Sequence, residues 1–76
     1  MRTNLKIFRI KQNMTQGEMA EKIGCSLNQY STIERGVRNG TITFWQNLQK
    51  AFGIEDSELW ELTKVEQKQE IDSQVD

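Results

Sequence analysis

A chain of 76 residues forms one small domain at most, because so short a chain buries only a modest core. With a single cysteine, Cys25, and no histidine, the composition excludes an internal disulfide and the usual zinc sites, and we expect no metal and no other cofactor. No run approaches the roughly 18 apolar residues of a membrane span, and the N-terminus lacks a signal-peptide core. A soluble, cytoplasmic protein without a membrane partner is therefore expected.

The net charge of −1 conceals an uneven distribution along the chain. Residues 1–50 carry eight Lys or Arg and three acids, whereas residues 51–76 carry two Lys and eight acids. Such polarity suits a basic body that binds phosphate and an acidic end that points away from it. We divide the chain into a domain of residues 1–64 and a polar, acidic tail of residues 65–76, which is either a frayed helical extension or disordered.

Apolar spacing and the positions of glycine predict five helices, and nothing alternates with the period of two that is typical of a strand. The predicted spans, in chain order, are residues 4–12, 16–23, 27–35 and 43–52, followed by a fifth helix around Leu59 and Leu62. The apolar stripe of the fourth helix comprises Ile42, Trp45, Leu48 and Phe52. The predicted fold class is all-α.

Three of the predicted helix starts match the S/T-x-x-E/Q capping box, beginning at Thr15, Ser26 and Thr43. In such a box the side chains pair with backbone N–H groups that the helix start leaves free, and each cap contributes about 1 kcal/mol. Asp56 is the expected cap of the fifth helix.

Only Gly24 and Cys25 lie between the second predicted helix and Ser26, the predicted cap of the third. Glycine turns a helix end through a left-handed conformation without steric cost, so the two helices must cross at a steep angle. Ala20 is small enough to let the third helix pass close over the second. The residues expected to be buried beneath the crossing are Met19, Ile23, Cys25, Tyr30 and Ile33, with Cys25 a small core residue rather than a reactive one.

The outer face of the third helix is expected to carry short polar and basic side chains. By their spacing, Asn28, Ser31, Thr32 and Arg35 share that face, and Leu27 lies in the first turn. Amide and hydroxyl groups on a projecting helix can read base edges in a DNA major groove. The candidates for base readout are Leu27, Asn28, Ser31 and Thr32.

The same residues resemble the Xre family, the phage-repressor or Cro-like class of helix-turn-helix proteins. In that family Gln begins the second helix, Ala and Gly follow four and eight residues later, and a Glu-x-Gly ending closes the third helix. The matching positions are Gln16, Ala20, Gly24 and Glu34-Arg35-Gly36, within a resemblance that spans about residues 4–62. The resemblance implies a five-helix, lambda-repressor-like domain that inserts its third helix into double-stranded DNA, usually as a homodimer on a palindromic operator.

The resemblance also implies roles for individual residues. Arg9 and Glu34 would form a structural ion pair that orients the third helix. Gln16 would clamp a phosphate at a helix N-terminus. The full set of phosphate-contact candidates is Gln16, Arg35, Arg38, Asn39 and Thr43, with Phe44 beside the last of these.

Two residues depart from the family pattern. Leu27 occupies a position where family members often have a polar residue. Its side chain either contacts a thymine methyl group or packs within the protein. Gln49 falls on the apolar stripe of the fourth helix, and we expect its amide to be hydrogen-bonded or to reach solvent. Trp60 either closes the core or lies half exposed at a dimer surface with Leu62 and Val65.

The favoured function is a sequence-specific DNA-binding transcriptional regulator of a bacterium or its mobile elements, acting as a repressor rather than an activator. The alternative is an antitoxin-like or adaptor protein that binds a protein partner through the tail of residues 65–76. An enzyme is the least favoured class, because the chain has no histidine and no recognisable nucleophile with a base.

Overall fold

The computed structural model describes residues 1–65, which form five α-helices and contain no strand. In chain order these are α1 (Thr3–Lys11), α2 (Gln16–Ile23), α3 (Leu27–Glu34), α4 (Ile42–Phe52) and α5 (Asp56–Thr63). The predicted all-α, lambda-repressor-like fold of five helices is confirmed. The predicted acidic tail lies outside the described residues except for Val65.

One apolar core holds the five helices together. Helix α2 packs against α3 and α4, and α1 packs against α5 and α3. The rings of Phe8 and Phe52 meet edge to face with their centroids 5.0 Å apart. The buried apolar side chains are Leu5, Phe8, Met19, Ala20, Ile23, Tyr30, Ile33, Phe44, Leu48 and Leu62, and partly buried Cys25 packs against them as predicted. None of the described helices is both long enough and apolar enough to span a membrane.

The corner between α2 and α3 has the predicted left-handed glycine. Gly24 has a φ of +92°, and the N–H groups of Gly24 and Cys25 both donate to the carbonyl oxygen of Ala20, at 2.8 and 2.9 Å. A Cβ placed on Gly24 would meet nothing within 4 Å, so glycine is required here for its backbone conformation and not for space.

The N-cap residues of α2 and α3 are those that the sequence predicts, but only α2 has the complete capping box. The hydroxyl of Thr15 accepts the N–H of Glu18 at 3.1 Å, and the Glu18 carboxylate accepts the N–H of Thr15 at 2.8 Å, which completes a capping box. The hydroxyl of Ser26 accepts the N–H of Gln29 at 3.0 Å. Both helices therefore begin at the predicted residues.

The predicted cap of α4 is wrong. Thr43 lies inside the helix, and Thr41 is the N-cap, with its hydroxyl accepting the N–H of Phe44 at 3.0 Å. The reason is tertiary: Gly40 turns with a φ of +81° against the ring of Trp45, which fixes where the helix begins.

The residues of α4 that face the core also differ from the prediction. Ile42, expected on the apolar stripe, is 76% exposed, whereas Phe44 and Leu48, one helical turn apart, are buried. Phe44 is thus a core residue, and the expectation that it lies with Thr43 in the phosphate-contacting segment is wrong for its side chain.

The start of α5 differs from the prediction as well. Asp56 is the first helical residue, and Glu55 stands at the N-cap position without a side-chain cap. The Asp56 carboxylate instead accepts a hydrogen bond of 2.7 Å from Nε2 of Gln49, which also donates to the carbonyl oxygen of Ile54 at 3.1 Å. The expected hydrogen bonding of the Gln49 amide is confirmed.

Candidate nucleic-acid interface

The buried carboxylate of Glu34 ties the inner side of α3 to two other helices. Oε2 accepts the hydroxyl of Tyr30 and Nε of Arg9, each at 2.8 Å. Oε1 accepts Nε2 of Gln16 at 2.7 Å and Nη2 of Arg9 at 3.4 Å. The predicted ion pair of Arg9 and Glu34 is confirmed. We call Arg9, Gln16, Tyr30 and Glu34 the Glu34 network.

Electrostatics keep the Glu34 carboxylate ionised in this setting. Burial opposes its ionisation, but hydrogen bonds from Arg9, Gln16 and Tyr30 hold the pKa of Glu34 below its ordinary value. Burial and the hydrogen bond to Glu34 raise the pKa of the Tyr30 hydroxyl, so the phenol stays a donor. The hydrogen bond to Glu34 raises the pKa of Arg9. The network is therefore a charged pair with two neutral donors.

Gln16 has a structural contact that its sequence position did not reveal. One N–H of its amide is committed to Glu34, and the residue is half buried at the first position of α2. Its amide oxygen and the backbone N–H groups of Gln16 and Gly17 are left for an outside ligand, because the N–H of Glu18 is bonded to Thr15. The predicted phosphate contact of Gln16 stays a prediction.

The outer face of α3 is mostly as expected. Leu27, Asn28 and Arg35 are exposed, and Ser31 is half buried. The prediction that Thr32 lies on the exposed face is wrong. Thr32 is only 8% exposed, and its hydroxyl donates to the carbonyl oxygens of Asn28 and Gln29 at 2.9 and 3.0 Å.

The backbone of Thr32 is also engaged by the segment that follows α3. Residues 36–41, which we call the α3–α4 loop, fold back so that the N–H groups of Val37 and Arg38 donate to the Thr32 carbonyl at 2.9 and 3.2 Å. Helical spacing assigns Thr32 to the outer face but does not reveal that the loop lies against it.

The remaining phosphate-contact candidates lie beside α3 on the α3–α4 loop and at the start of α4. Arg38, Asn39 and Thr43 are all exposed there. Together with Arg35 they place two guanidinium groups and two neutral polar groups between the end of α3 and the N-terminal end of α4. Within residues 1–65 no group of three His, Cys, Asp or Glu could hold a metal ion.

The predicted dimer surface is only partly exposed in this chain. Trp60 is 64% exposed, so it does not close the core. Leu62 is buried, and its assignment to an exposed dimer surface is wrong because it packs in the core with Leu5 and Phe8 of α1. Val65 is half buried and lies against Gly36.

Sequence reasoning missed Arg2, which it counted only among the eight basic residues of residues 1–50. It is 3% exposed, and its guanidinium contacts the end of α3, the α3–α4 loop and the end of α5. An arginine one residue before a helix carries no local signal of burial.

Comparison with known proteins gives concordant results. A helix-turn-helix family model matches residues 5–59. Two proteins of Archaeoglobus fulgidus, each described as an uncharacterized HTH-type transcriptional regulator, are 33% identical over 69 residues and 32% identical over 68 residues. The alignments cover 80% and 79% of this chain and 97% of each relative. No solved structure matches the chain significantly.

Proposed function

The chain belongs to the Xre family of helix-turn-helix DNA-binding proteins, and from this premise we propose that it represses transcription by binding a specific double-stranded operator. The observation that supports the proposal best is the two-sided character of α3. Its inner side is locked by the Glu34 network, whereas its outer side presents exposed Leu27 and Asn28. A rigid helix with a free polar face suits readout in the major groove.

In the proposed complex the N-terminal half of α3 reads the bases. The Asn28 amide pairs with an adenine edge, the Ser31 hydroxyl bonds to a neighbouring base, and Leu27 packs on a thymine methyl group. Thr32 supports this surface from beneath, because its hydroxyl is already bonded to the helix backbone.

Phosphate contacts accompany this readout. Arg35, Arg38, Asn39 and Thr43 supply exposed donors between the end of α3 and the start of α4. Gln16 offers a further donor or acceptor at the start of α2. The first-turn N–H groups of α2 and α4 add donors at the positive ends of their helices. These contacts fix the register of the protein on DNA without carrying sequence information.

Repression follows from occupancy of a promoter by a homodimer in the cytoplasm. Two copies related by a twofold axis place two α3 helices in successive major grooves, which matches a palindromic site. Trp60 is the exposed aromatic residue that we assign to the dimer contact.

The decisive experiment is selection of bound sequences from a randomised duplex pool at near-physiological salt. The expected result is a palindrome with half-sites about one helical turn, or roughly 34 Å, apart. Recovery of a single half-site would support the proposal of operator binding and overturn the proposal of a dimer. A pool that stays unenriched would overturn the proposal of sequence-specific binding.

Two variants then separate base readout from phosphate contact. Asn28→Ala should relax preference at one base pair by about 1 to 3 kcal/mol. Arg38→Ala should weaken binding to all sequences alike and lower the salt slope by about one unit. Lys50→Ala is the charge-matched control, since Lys50 is exposed near the opposite end of α4. If Asn28→Ala lowers the binding affinity equally for every DNA sequence, Asn28 does not read a base.

A protein partner bound through the acidic tail is the alternative. It depends on the tail of residues 65–76, of which the structure describes only Val65, and nothing within residues 1–65 specifically favours it. Under our proposal, deletion of residues 66–76 leaves operator selectivity intact. Loss of selectivity together with loss of a captured protein would favour the adaptor instead.

A further inference from the structure

Arg2 is a buried cation that is bound by backbone carbonyl groups instead of a carboxylate. Its Nη1 donates to the carbonyl oxygens of Ile33 at 2.6 Å and Arg38 at 2.8 Å. Its Nη2 donates to the carbonyl oxygen of Asn39 at 3.3 Å, and its Nε to that of Thr63 at 2.9 Å. One planar group thus joins the end of α3, the α3–α4 loop and the end of α5.

These contacts give carbonyl groups at the ends of the elements a buried donor. The carbonyl of Ile33 is among the last of α3, lies at the negative end of the helix dipole, and also accepts the N–H of Gly36 at 3.0 Å. The backbone N–H of Arg2 also donates to the carbonyl oxygen of Glu34 at 2.8 Å. A buried guanidinium is costly without such partners, so the geometry of the carbonyls and the position of Arg2 depend on each other.

The α3–α4 loop needs an external constraint because its own backbone is permissive. Gly36 and Gly40, at φ of +83° and +81°, allow conformations that other residues resist. Trp45 holds the same point from the other side: its Nε1 donates to the Asn39 carbonyl at 3.1 Å, and its ring centroid lies 5.5 Å from Cζ of Arg2. Arg2 and Trp45 together fix the loop between α3 and α4.

We infer that Arg2 is a positioning residue for DNA binding, an inference that rests on the proposed function. By holding the carbonyl groups of Arg38 and Asn39 inward, Arg2 directs their exposed side chains toward the phosphate backbone. Arg2 itself touches no DNA, because it is buried. Lysine cannot substitute, since one ammonium group lacks the planar fork that reaches carbonyls on three elements.

The test uses the full chain with Arg2→Lys and Arg2→Met, bound to the duplex recovered by selection at a series of salt concentrations. The expected result for both variants is a loss of affinity of about tenfold and a salt slope lower by about one unit, although Arg2 is buried and Arg2→Lys keeps the positive charge. Combining Arg2→Met with Arg38→Ala should add little to either single effect, because both remove the same phosphate contact. Additive effects with an unchanged slope would overturn the inference.

Two controls separate positioning from simple loss of stability. Phe8→Leu weakens the core at the contact with Phe52, away from the α3–α4 loop, and should leave the salt slope unchanged at temperatures where the variant is folded. Trp45→Phe keeps a ring but removes the donor to Asn39, and should lower the slope even if the Arg2 variants do not fold. An unchanged slope in Trp45→Phe would then count against the inference. Failure of the unaltered chain to select any duplex would instead refute the proposed function.

Discussion

At the scale of single residues, Glu34 determines how α3 is held. Its carboxylate collects donors from α1, α2 and α3, and charge-assisted bonds of this kind are stronger than neutral ones. A buried ion pair adds little net stability relative to apolar packing, because both charges lose their hydration. Its contribution is the fixed orientation of α3, which any readout by the outer face requires.

The lowered pKa of Glu34 makes stability depend on pH. The ionised carboxylate contributes fully to the free energy of unfolding above the pKa of about 4.3 that it has in the unfolded chain. This contribution is lost as pH falls through the lower pKa of the folded protein. Tyr30→Phe removes one donor, so we expect a loss of about 1.5 to 3 kcal/mol at pH 6. In this variant the pKa of Glu34 in the folded protein lies nearer its unfolded value, so acidification lowers the free energy of unfolding by less. The difference in free energy of unfolding between the variant and the unaltered chain should therefore shrink between about pH 4.5 and pH 3.

Urea unfolding of both proteins across this pH range measures the effect. Thr63→Val is the control, because it removes an exposed hydroxyl that donates to the Trp60 carbonyl at 2.7 Å. Its free energy of unfolding should change with pH in parallel with that of the unaltered chain. A deficit of Tyr30→Phe that stays constant with pH would mean that Tyr30 does not influence the ionisation of Glu34.

Single residues also show where sequence reasoning succeeds and where it stops. Arg9 and Glu34 could be paired in advance through the family resemblance. Thr32 was placed on the outer face by helical spacing, which does not report that a loop covers it. The acceptors of the Arg2 guanidinium lie 31 to 61 residues away in the chain, and no local pattern encodes contacts of that range.

At the scale of elements, helix ends determine the geometry more than helix interiors do. The start of α2 is closed by a complete capping box, and its end turns at Gly24 into a connection too short for any other path. Both features were predictable because they depend on residues that are neighbours in sequence. The angle between α2 and α3 follows from them, since the two helices have no free linker.

Substitution by alanine should therefore have opposite effects at Gly17, inside α2, and at Gly24, its C-cap. Gly24→Ala should cost about 1 to 2 kcal/mol, because a Cβ strains the left-handed backbone even where space is open. Gly17→Ala should stabilise by about 0.5 to 1 kcal/mol, since Gly17 lies in helical backbone and a Cβ there would come no nearer than 3.9 Å to a neighbour. Thermal or urea unfolding decides, and equal effects of both changes would contradict the conformational explanation.

The start of α4 offers a second pair of matched substitutions. Thr41→Ala should cost about 1 kcal/mol because it removes the cap on the N–H of Phe44. Thr43→Ala should leave stability within about 0.5 kcal/mol and weaken DNA binding if Thr43 contacts phosphate. The reverse pattern in urea unfolding would restore Thr43 as the cap.

Thr41 and Thr43 also show why element boundaries escape a sequence rule. Thr43 with Gln46 satisfies the capping pattern, and Thr41 with Phe44 does not. The choice is made by the turn at Gly40 and by the bond from Trp45 to the Asn39 carbonyl, which hold the chain before it enters α4. Tertiary contact overrides a local preference worth about 1 kcal/mol.

At the scale of the whole molecule, the described residues combine a small closed core with an exposed aromatic residue at one edge. Leu62 faces inward from α5, whereas Trp60 on the same helix faces out. Composition and periodicity predicted the five helices and the core, but they left both roles of Trp60 open because exposure depends on how α5 docks against α1.

Self-association should depend on Trp60. Trp60→Ser removes a large exposed apolar side chain and should weaken dimer formation at least about tenfold while changing folding stability little, since aromatic anchors carry much of an interface's energy. Sedimentation equilibrium with and without operator DNA measures it. Ile42→Ser, at the exposed start of α4, is the control, and equal dissociation constants for both variants would place the dimer contact elsewhere.

The division of α3 into a locked side and a free side bears on how such a protein diverges after gene duplication. Leu27, Asn28 and Ser31 contribute no side-chain hydrogen bond to the Glu34 network. If α3 reads bases as proposed, a duplicated copy can exchange these three side chains and acquire a different operator while the contacts that orient the helix are inherited unchanged. Under the proposed function, the residues that determine the target sequence are therefore different from those that orient α3.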